Sequence, residues 1–423
     1  MKVAVITLQM HTNYGGVLQA FALQRVLESL GHNVEIIQLD EILPEPEGMN
    51  AVRKLLTRSF RKYVLRRRDA ELFRERRINR EFPSVGAEFL EFFRKYLNIR
   101  YISSFSEISA SDYDAFVVGS DQVWRPKYNP ALMHSFLDFT WEDEGRKCHH
   151  GLPSDGKRPV GWDVGRIAYA VSFGCDDWEY SERQTAPASE LAGRFDALSF
   201  RELSGVRNAS EHLGTYSVTV LDPTMLLDAD DYLGIIGQCK GRPKDFSRPL
   251  EMTEREQFGV TADEKPMVKE GERTETERGT GVFEYVLDRT AETEALLVEL
   301  EAALAHPVRR FLQANPRGHE EISLRVQPSV ESWIAGISDA GFVLTDSFHA
   351  CVFSILFHRP FAVVGNRGRG LSRITWLLRQ FGLQSRLLCG PSLPEGDIDW
   401  DDVNARLERL REESLGFLKK NLR

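Results

Sequence analysis

Apolar and polar positions follow a repeating order along this chain. Val3 to Leu8 is a short run of strand formers, Val17 to Leu30 carries apolar residues at helical spacing, and Val34 to Leu39 is again strand-like. Gly31 stands where a left-handed residue ends the helix. The stretch from about Glu41 to Leu97 predicts mostly helix. Further strands are predicted at Ala115 to Val118, Ile167 to Phe173 and Phe195 to Phe200, and Val218 to Thr224 ends the first half. The second half restarts with a strand at Val282 to Leu287, a helix at Ala291 to Leu304 and a strand at Pro307 to Leu312. A helix at Pro328 to Ala340 follows, with Ser329 as its cap and Glu331 in its first turn. Phe342 to Leu344, Pro360 to Val364 and the amphipathic run Val403 to Leu422 complete the series as two strands and a closing helix.

Strands alternating with helices predict parallel sheets. Two polar stretches interrupt the pattern. Residues 141–164 read as a surface insertion and 241–280 as a charged linker with little apolar periodicity, disordered or mobile in part. The expected organisation is therefore an α/β protein with two Rossmann-like domains, 1–240 and 281–423, facing a cleft across a 241–280 linker. The C-terminal helix is expected to pack back across both.

Composition narrows this picture. A net charge of −9 gives no electrostatic footprint for nucleic acid, and no apolar run has transmembrane length. The N-terminal residues read as a strand rather than a signal peptide, and five scattered cysteines without CxxC spacing suit a reducing cytoplasm. Cys148-His149-His150 has no matching second half, so no metal site is expected. One region departs from the acidic average. Arg53 to Arg80 is strongly basic, with apolar residues at helical spacing. It reads either as a solvated helix face or as an amphipathic helix that docks on anionic lipid or a phosphorylated carrier, giving peripheral contact with a membrane.

Candidate chemistry gathers at predicted strand ends, the edge where open parallel sheets bind ligands. The stretch Phe342 to Leu356 reads as strand, polar turn (Thr345, Asp346, Ser347) and buried helix, which places His349 in a helical first turn, where N–H groups favour anions. Alone, His349 would be a packed or capping histidine. Asp346 three residues earlier and the arginines of Gly365 to Arg373 make an anion-binding histidine the stronger reading. Asn13 and Tyr14 lie in a glycine-bearing first turn that lacks GxGxxG, so a dinucleotide is not expected; Asn13 faces a ligand or serves turn geometry. Asp121 follows a strand as a base, a hydroxyl acceptor or an N-cap. Arg201 ends another strand, with a salt bridge to Glu202 or another acid as its plainer reading.

These pieces have an order. Thr12-Asn13-Tyr14-Gly15-Gly16-Val17-Leu18-Gln19-Ala20, Gly119-Ser120-Asp121-Gln122-Val123-Trp124, Ala168 to Gly174, Arg201-Glu202-Leu203-Ser204-Gly205, Leu221-Asp222-Pro223-Thr224, Pro328 to Trp333 and Thr345-Asp346-Ser347-Phe348-His349 span nearly the whole chain. In this order the chain resembles the polysaccharide pyruvyl transferase family. The resemblance implies a fold similar to two-domain glycosyltransferases of the GT-B kind. It also implies transfer of pyruvate from phosphoenolpyruvate, as donor substrate without a cofactor, to two hydroxyls of a sugar, forming a cyclic ketal. His349 and Arg201 match the family's histidine and arginine. Some related members have arginine two residues before that histidine; Ser347 stands there, so Arg369 and Arg373 become candidates for the missing cation.

Phosphoenolpyruvate requires cations and N–H groups, and an imidazole can give and take a proton near neutrality. The resulting expectation is catalysis by His349, Arg201 and Asp346, with Asp346 orienting the histidine; a donor site of Ser347, Phe348, Arg369 and Arg373; and an acceptor site of Asn13, Tyr14, Ser120 and Asp121. The expected acceptor is a surface glycan or its lipid-linked oligosaccharide precursor, met at the inner membrane face. Two alternatives share the same residues: a GT-B-type glycosyltransferase using a nucleotide-sugar, and a non-catalytic glycan-binding protein.

Overall fold

The computed structural model describes residues 1–43, 45, 48–67, 71–141, 164–237, 281–288, 294–295, 298, 302, 308–311, 315–365, 371–388, 390 and 393–422. The 241–280 linker, almost all of the 141–164 insertion, Cys148-His149-His150, Arg369 and most of the 291–304 helix lie outside them.

Seven strands build the first sheet: β1 (Lys2–Ile6), β2 (Asn33–Leu39), β3 (Ile99–Ile102), β4 (Ala115–Gly119), β5 (Gly165–Val171), β6 (Ala197–Phe200) and β7 (Val218–Thr219), in the order β3-β2-β1-β4-β5-β6-β7. Every described pairing is parallel, Val3 of β1 lying opposite Val34 on one side and Ala115 on the other. The strands are apolar along their length because both faces are covered. Val3 and Val5 point into one core, Ala4 and Ile6 into another. The second sheet has four parallel strands, β8 (Val282–Tyr285), β9 (Val308–Arg310), β10 (Phe342–Thr345) and β11 (Phe361–Val363), in the order β11-β10-β8-β9. Strand order reverses between β1 and β4 in the first sheet and between β8 and β10 in the second. Such reversals open a crevice at the strands' C-terminal ends.

The helices α1 (Tyr14–Ser29), α2 (Gly48–Ser59), α3 (Arg74–Val85), α4 (Ala87–Tyr96), α5 (Glu182–Ala192), α6 (Leu203–Asn208), α7 (Ala229–Ile235), α8 (Val330–Ser338), α9 (Phe348–Leu356), α10 (Leu371–Gln380) and α11 (Trp400–Asn421) connect the strands. Helix α11 crosses from one half to the other. His358 Nε2 lies 2.8 Å from Asn404 Oδ1 near its start. Further along, Arg411 donates to the carbonyls of Met225 and Leu227, and Ser414 Oγ accepts from the Leu221 N–H.

Three local expectations change. Strand β3 is not among the predicted strands; its four residues Ile-Arg-Tyr-Ile are too short and too polar to stand out just after a mainly helical stretch. Helix α1 begins at Tyr14 rather than Val17, taking Gly15 and Gly16 into its first turn. The basic stretch Arg53 to Arg80 is not one helix. It divides into α2, continued by a π-helical turn at Phe60–Val64, and a separate α3. Three of the four arginines of α3 pair with acids: Arg76 with Glu45, Arg77 with Glu71 and Glu81, and Arg80 with Glu81 at 3.9 Å.

Tyr14 joins the two halves. Its ring stacks on Trp333 of α8 at 5.7 Å and 6°, and it meets Phe89, Tyr285 and Phe311. Its hydroxyl donates to the Pro328 carbonyl at 2.7 Å. Trp333→Ala is expected to cost about 3–5 kcal/mol by emptying this joint, whereas Tyr14→Phe, which loses only the hydrogen bond, should cost about 1 kcal/mol. Denaturant midpoints measure both, and equal losses would remove the ring stack from its role.

Candidate active site

The ends of β4, β6 and β7 carry Asp121, Arg201 and Asp222 to one point, and the turn after β10 brings His349 to the same point. Arg201 is at the centre, its side chain fully buried. Nη1 donates to Asp222 Oδ2 at 2.8 Å and Nη2 to Asp121 Oδ1 at 3.0 Å, while Nε lies 3.8 Å from Glu202 Oε2. A guanidinium suits this place because its planar fork reaches two carboxylates at once. Its carbon also lies 4.7 Å from the centre of the Phe348 ring, whose face attracts a cation.

Asp222 is the most heavily engaged carboxylate. Oδ1 accepts from the backbone N–H and the hydroxyl of Thr224, and Oδ2 from Ser120 Oγ at 2.9 Å as well as from Arg201. His349 Nε2 lies 3.7 Å from Oδ2, an ion-pair distance and too long for a hydrogen bond. Burial alone would raise the Asp222 carboxyl, but His349 and Arg201 outweigh it and hold it well below the usual carboxylate range. Asp121 is likewise held low: burial opposes ionisation, and Arg201, His349 and Arg373 together override it. Glu202 goes the other way, raised by burial, with Oε1 accepting from Ser172 Oγ at 2.6 Å and Oε2 without a hydrogen-bond partner among the described residues.

His349 is the second residue of α9 and is buried. Its Nε2 has no hydrogen-bond partner among the described residues. The start of α1 faces it closely. A Cβ on Gly15 would lie 1.9 Å from His349 Nδ1, so only glycine lets the first turn of α1 approach the ring. Two helices of different halves thus begin at this point, and Asn13 makes no side-chain cap to α1, whose leading N–H groups favour an anion.

Several expected roles meet a different geometry. Tyr14 is buried in the joint between the halves and does not face the cleft. Ser120 is buried and donates to Asp222. Asp346 accepts from the backbone N–H groups of Leu287 and Asp288, at 2.7 and 3.2 Å, tying the end of β10 to the end of β8. Arg201 holds two carboxylates instead of presenting itself to solvent. Ser347 caps α9, its Oγ accepting from the Ala350 N–H at 3.5 Å. Asn13 is exposed, and its amide donates to Asp121 Oδ2 at 3.4 Å. Asp121 adopts φ +60°, an uncommon left-handed conformation that turns its side chain toward Arg201.

Arg373 of α10 is buried with its guanidinium carbon 5.9 Å from the Phe348 ring centre. Burial and then Arg201 lower it to about 10, so it remains a cation at neutral pH. Beside it a cleft of ≈ 580 Å³ opens between Cys175 to Asp177 and Glu202 to Ser204 on one side and Leu371 to Arg379 of α10 on the other. Asp222 and Glu202 had no site role in the sequence reading. The signal for Asp222 is an acid just past a strand, as at Asp121, here followed by proline. Among the described residues no three His, Cys, Asp or Glu side chains converge as metal ligands.

The sequence matches the profile of the polysaccharide pyruvyl transferases over residues 13–368, a span that holds Asp121, Arg201, Asp222 and His349. The chain belongs to this family. No curated protein matches it in sequence. Among solved structures, this family member is similar to the UDP-GlcNAc 2-epimerase from Neisseria meningitidis bound to UDP-GlcNAc (10% identity, TM-score 0.42, covering 98% of this chain and 93% of that one). It is also similar to UDP-N-acetylglucosamine 2-epimerase from Rickettsia bellii (10% identity, TM-score 0.37, covering 99% and 98%).

Asp222 links this pyruvyl transferase family site to stability. Its folded carboxyl is depressed, so its contribution is present above the unfolded value of about 3.9 and is lost as pH falls below it toward the folded value. Asp222→Asn should therefore flatten the acid side of the stability–pH curve. It should also cost roughly 3 kcal/mol at neutral pH by leaving Arg201 under-compensated. Parallel curves for the two proteins, from denaturant unfolding across pH, would contradict this.

Proposed function

We propose that this family member moves pyruvate from phosphoenolpyruvate onto two hydroxyls of a sugar, in a surface glycan or its lipid-linked precursor, giving a cyclic ketal and phosphate. One observation carries the reading: a buried imidazole, His349, has an uncommitted Nε2 3.7 Å from an ionised carboxylate, at the point where helices of both halves begin. Family membership supports a transferase acting in polysaccharide synthesis.

The proton count suits one shuttling imidazole. The methylene carbon of the donor gains a proton, which makes its neighbouring carbon electrophilic. A sugar hydroxyl adds there and loses its proton; phosphate departs with a proton as the second hydroxyl closes the ring and gives up its own. Two protons leave the hydroxyls, one ending on carbon and one on phosphate. His349 carries them, and Asp222 stabilises the imidazolium formed in between. Arg201 helps keep Asp222 and Asp121 ionised and holds both in place, a positioning role. The anionic donor meets Arg373 and the N–H groups at the helix starts. The acceptor occupies the cleft, where Trp376 offers an aromatic face and Asp176, Asp177 and Ser204 offer hydroxyl partners.

Phosphoenolpyruvate is expected to raise the thermal midpoint in a concentration-dependent way, and nucleotide-sugars are not. His349→Ala should keep that shift while phosphate release falls about 10²–10⁴-fold. Full turnover in His349→Ala, or a midpoint shift with nucleotide-sugars alone, would overturn the proposal. The second outcome would favour the glycosyltransferase reading.

A further inference from the structure

Half of the large apolar side chains exposed among the described residues lie between Met49 and Phe73, nine of eighteen, so the segment is a concentrated apolar surface rather than scattered exposure. Met49, Val52, Leu56, Phe60 and Tyr63 recur at helical spacing along α2 and the π-helical turn, and all are more than half exposed. Residues 48–67 also contain seven Lys and Arg and no Asp or Glu, in a chain of net charge −9.

A surface helix normally turns its apolar stripe to the core. This one is attached by its polar side. Arg58 donates to both oxygens of Glu75 on α3, at 2.7 and 2.6 Å, and to the Leu72 carbonyl at 3.1 Å; Lys54 lies 3.8 Å from the same carboxylate. The apolar stripe is consequently left outward, with Arg61, Lys62, Arg66 and Arg67 beside it in exposed positions.

We infer that α2 and its π-helical continuation form an interfacial anchor that lays this stripe into an anionic lipid surface. The occupant follows from charge and shape together. Apolar rings flanked by cations match the boundary between acyl chains and acidic headgroups. A second copy of the chain on the same face would bring two sets of seven cations together, and an aqueous anion alone would leave the apolar stripe in water. Arg76 and Arg77 of α3 take no part, since acids of the protein already hold them. The anchor is separate from the catalytic residues and does not depend on the donor assigned above.

Flotation of the full chain with vesicles tests the anchor, using phosphatidylcholine alone and phosphatidylcholine mixed with phosphatidylglycerol. Binding is expected to the mixed vesicles and to weaken with salt. Arg61→Gln with Lys62→Gln should lower vesicle affinity about 30-fold, from roughly 1 kcal/mol per cation near an anionic surface. Leu56→Glu with Phe60→Glu should abolish flotation at an unchanged thermal midpoint, because both residues are exposed. No flotation by the wild type, flotation equal on both vesicle types, or flotation unaffected by Leu56→Glu with Phe60→Glu would overturn the inference. So would light scattering showing a dimer that this double substitution dissociates.

Discussion

A guanidinium without water is the constraint on which the site depends. Arg201 has no exposed side-chain surface, and a cation in such a place persists only if carboxylates compensate it. Asp222 and Asp121 do so, which fixes them as anions despite their own burial. Asp222 then faces His349, and Asp121 faces Asn13. This buried charge, together with His349, therefore sets the ionisation of the acids that the imidazole and the first turn of α1 meet.

That arrangement requires the halves to stand in close register. The Tyr14 ring stacks on Trp333, and its hydroxyl holds the Pro328 carbonyl, one residue before Gly15 admits His349. The joint and the approach to His349 are consecutive residues, Tyr14 and Gly15, of the same helix start. A shift at the ring stack would move Gly15 against the imidazole, so packing between the halves and placement of His349 are one problem. Helix α11 adds a second tie through Leu221, the residue before Asp222.

Much of the architecture was legible in local pattern. Nine of the eleven strands among the described residues lie where the sequence predicts strands, and Ser329 and Ser347 cap their helices as serine at those positions should. His349 was legible as a residue of a helical first turn, and Arg201 as the end of a strand. Their partners were not. Asp222 is 21 residues from Arg201 and 127 from His349, distances over which no periodicity speaks. Tyr14 reads as ligand-facing in a glycine loop, because a loop and a helical first turn containing two glycines look alike until something packs against them.

The sequence by itself determined the alternating elements, their parallel pairing class, the family motifs and their order, since each rests on residues close in the chain. Only the tertiary structure decided which side chains are spent inside the protein and which remain for a ligand. Arg201 is consumed by two acids, Asp346 by the backbone of β8's end, and Arg76 and Arg77 by neighbouring glutamates, whereas the apolar stripe of α2 is left facing outward. The physical reason is that periodicity gives a helix an apolar face and a strand a polar end, but says nothing of what lies opposite. That is set by the docking of distant segments, where burial fixes charge and contact together.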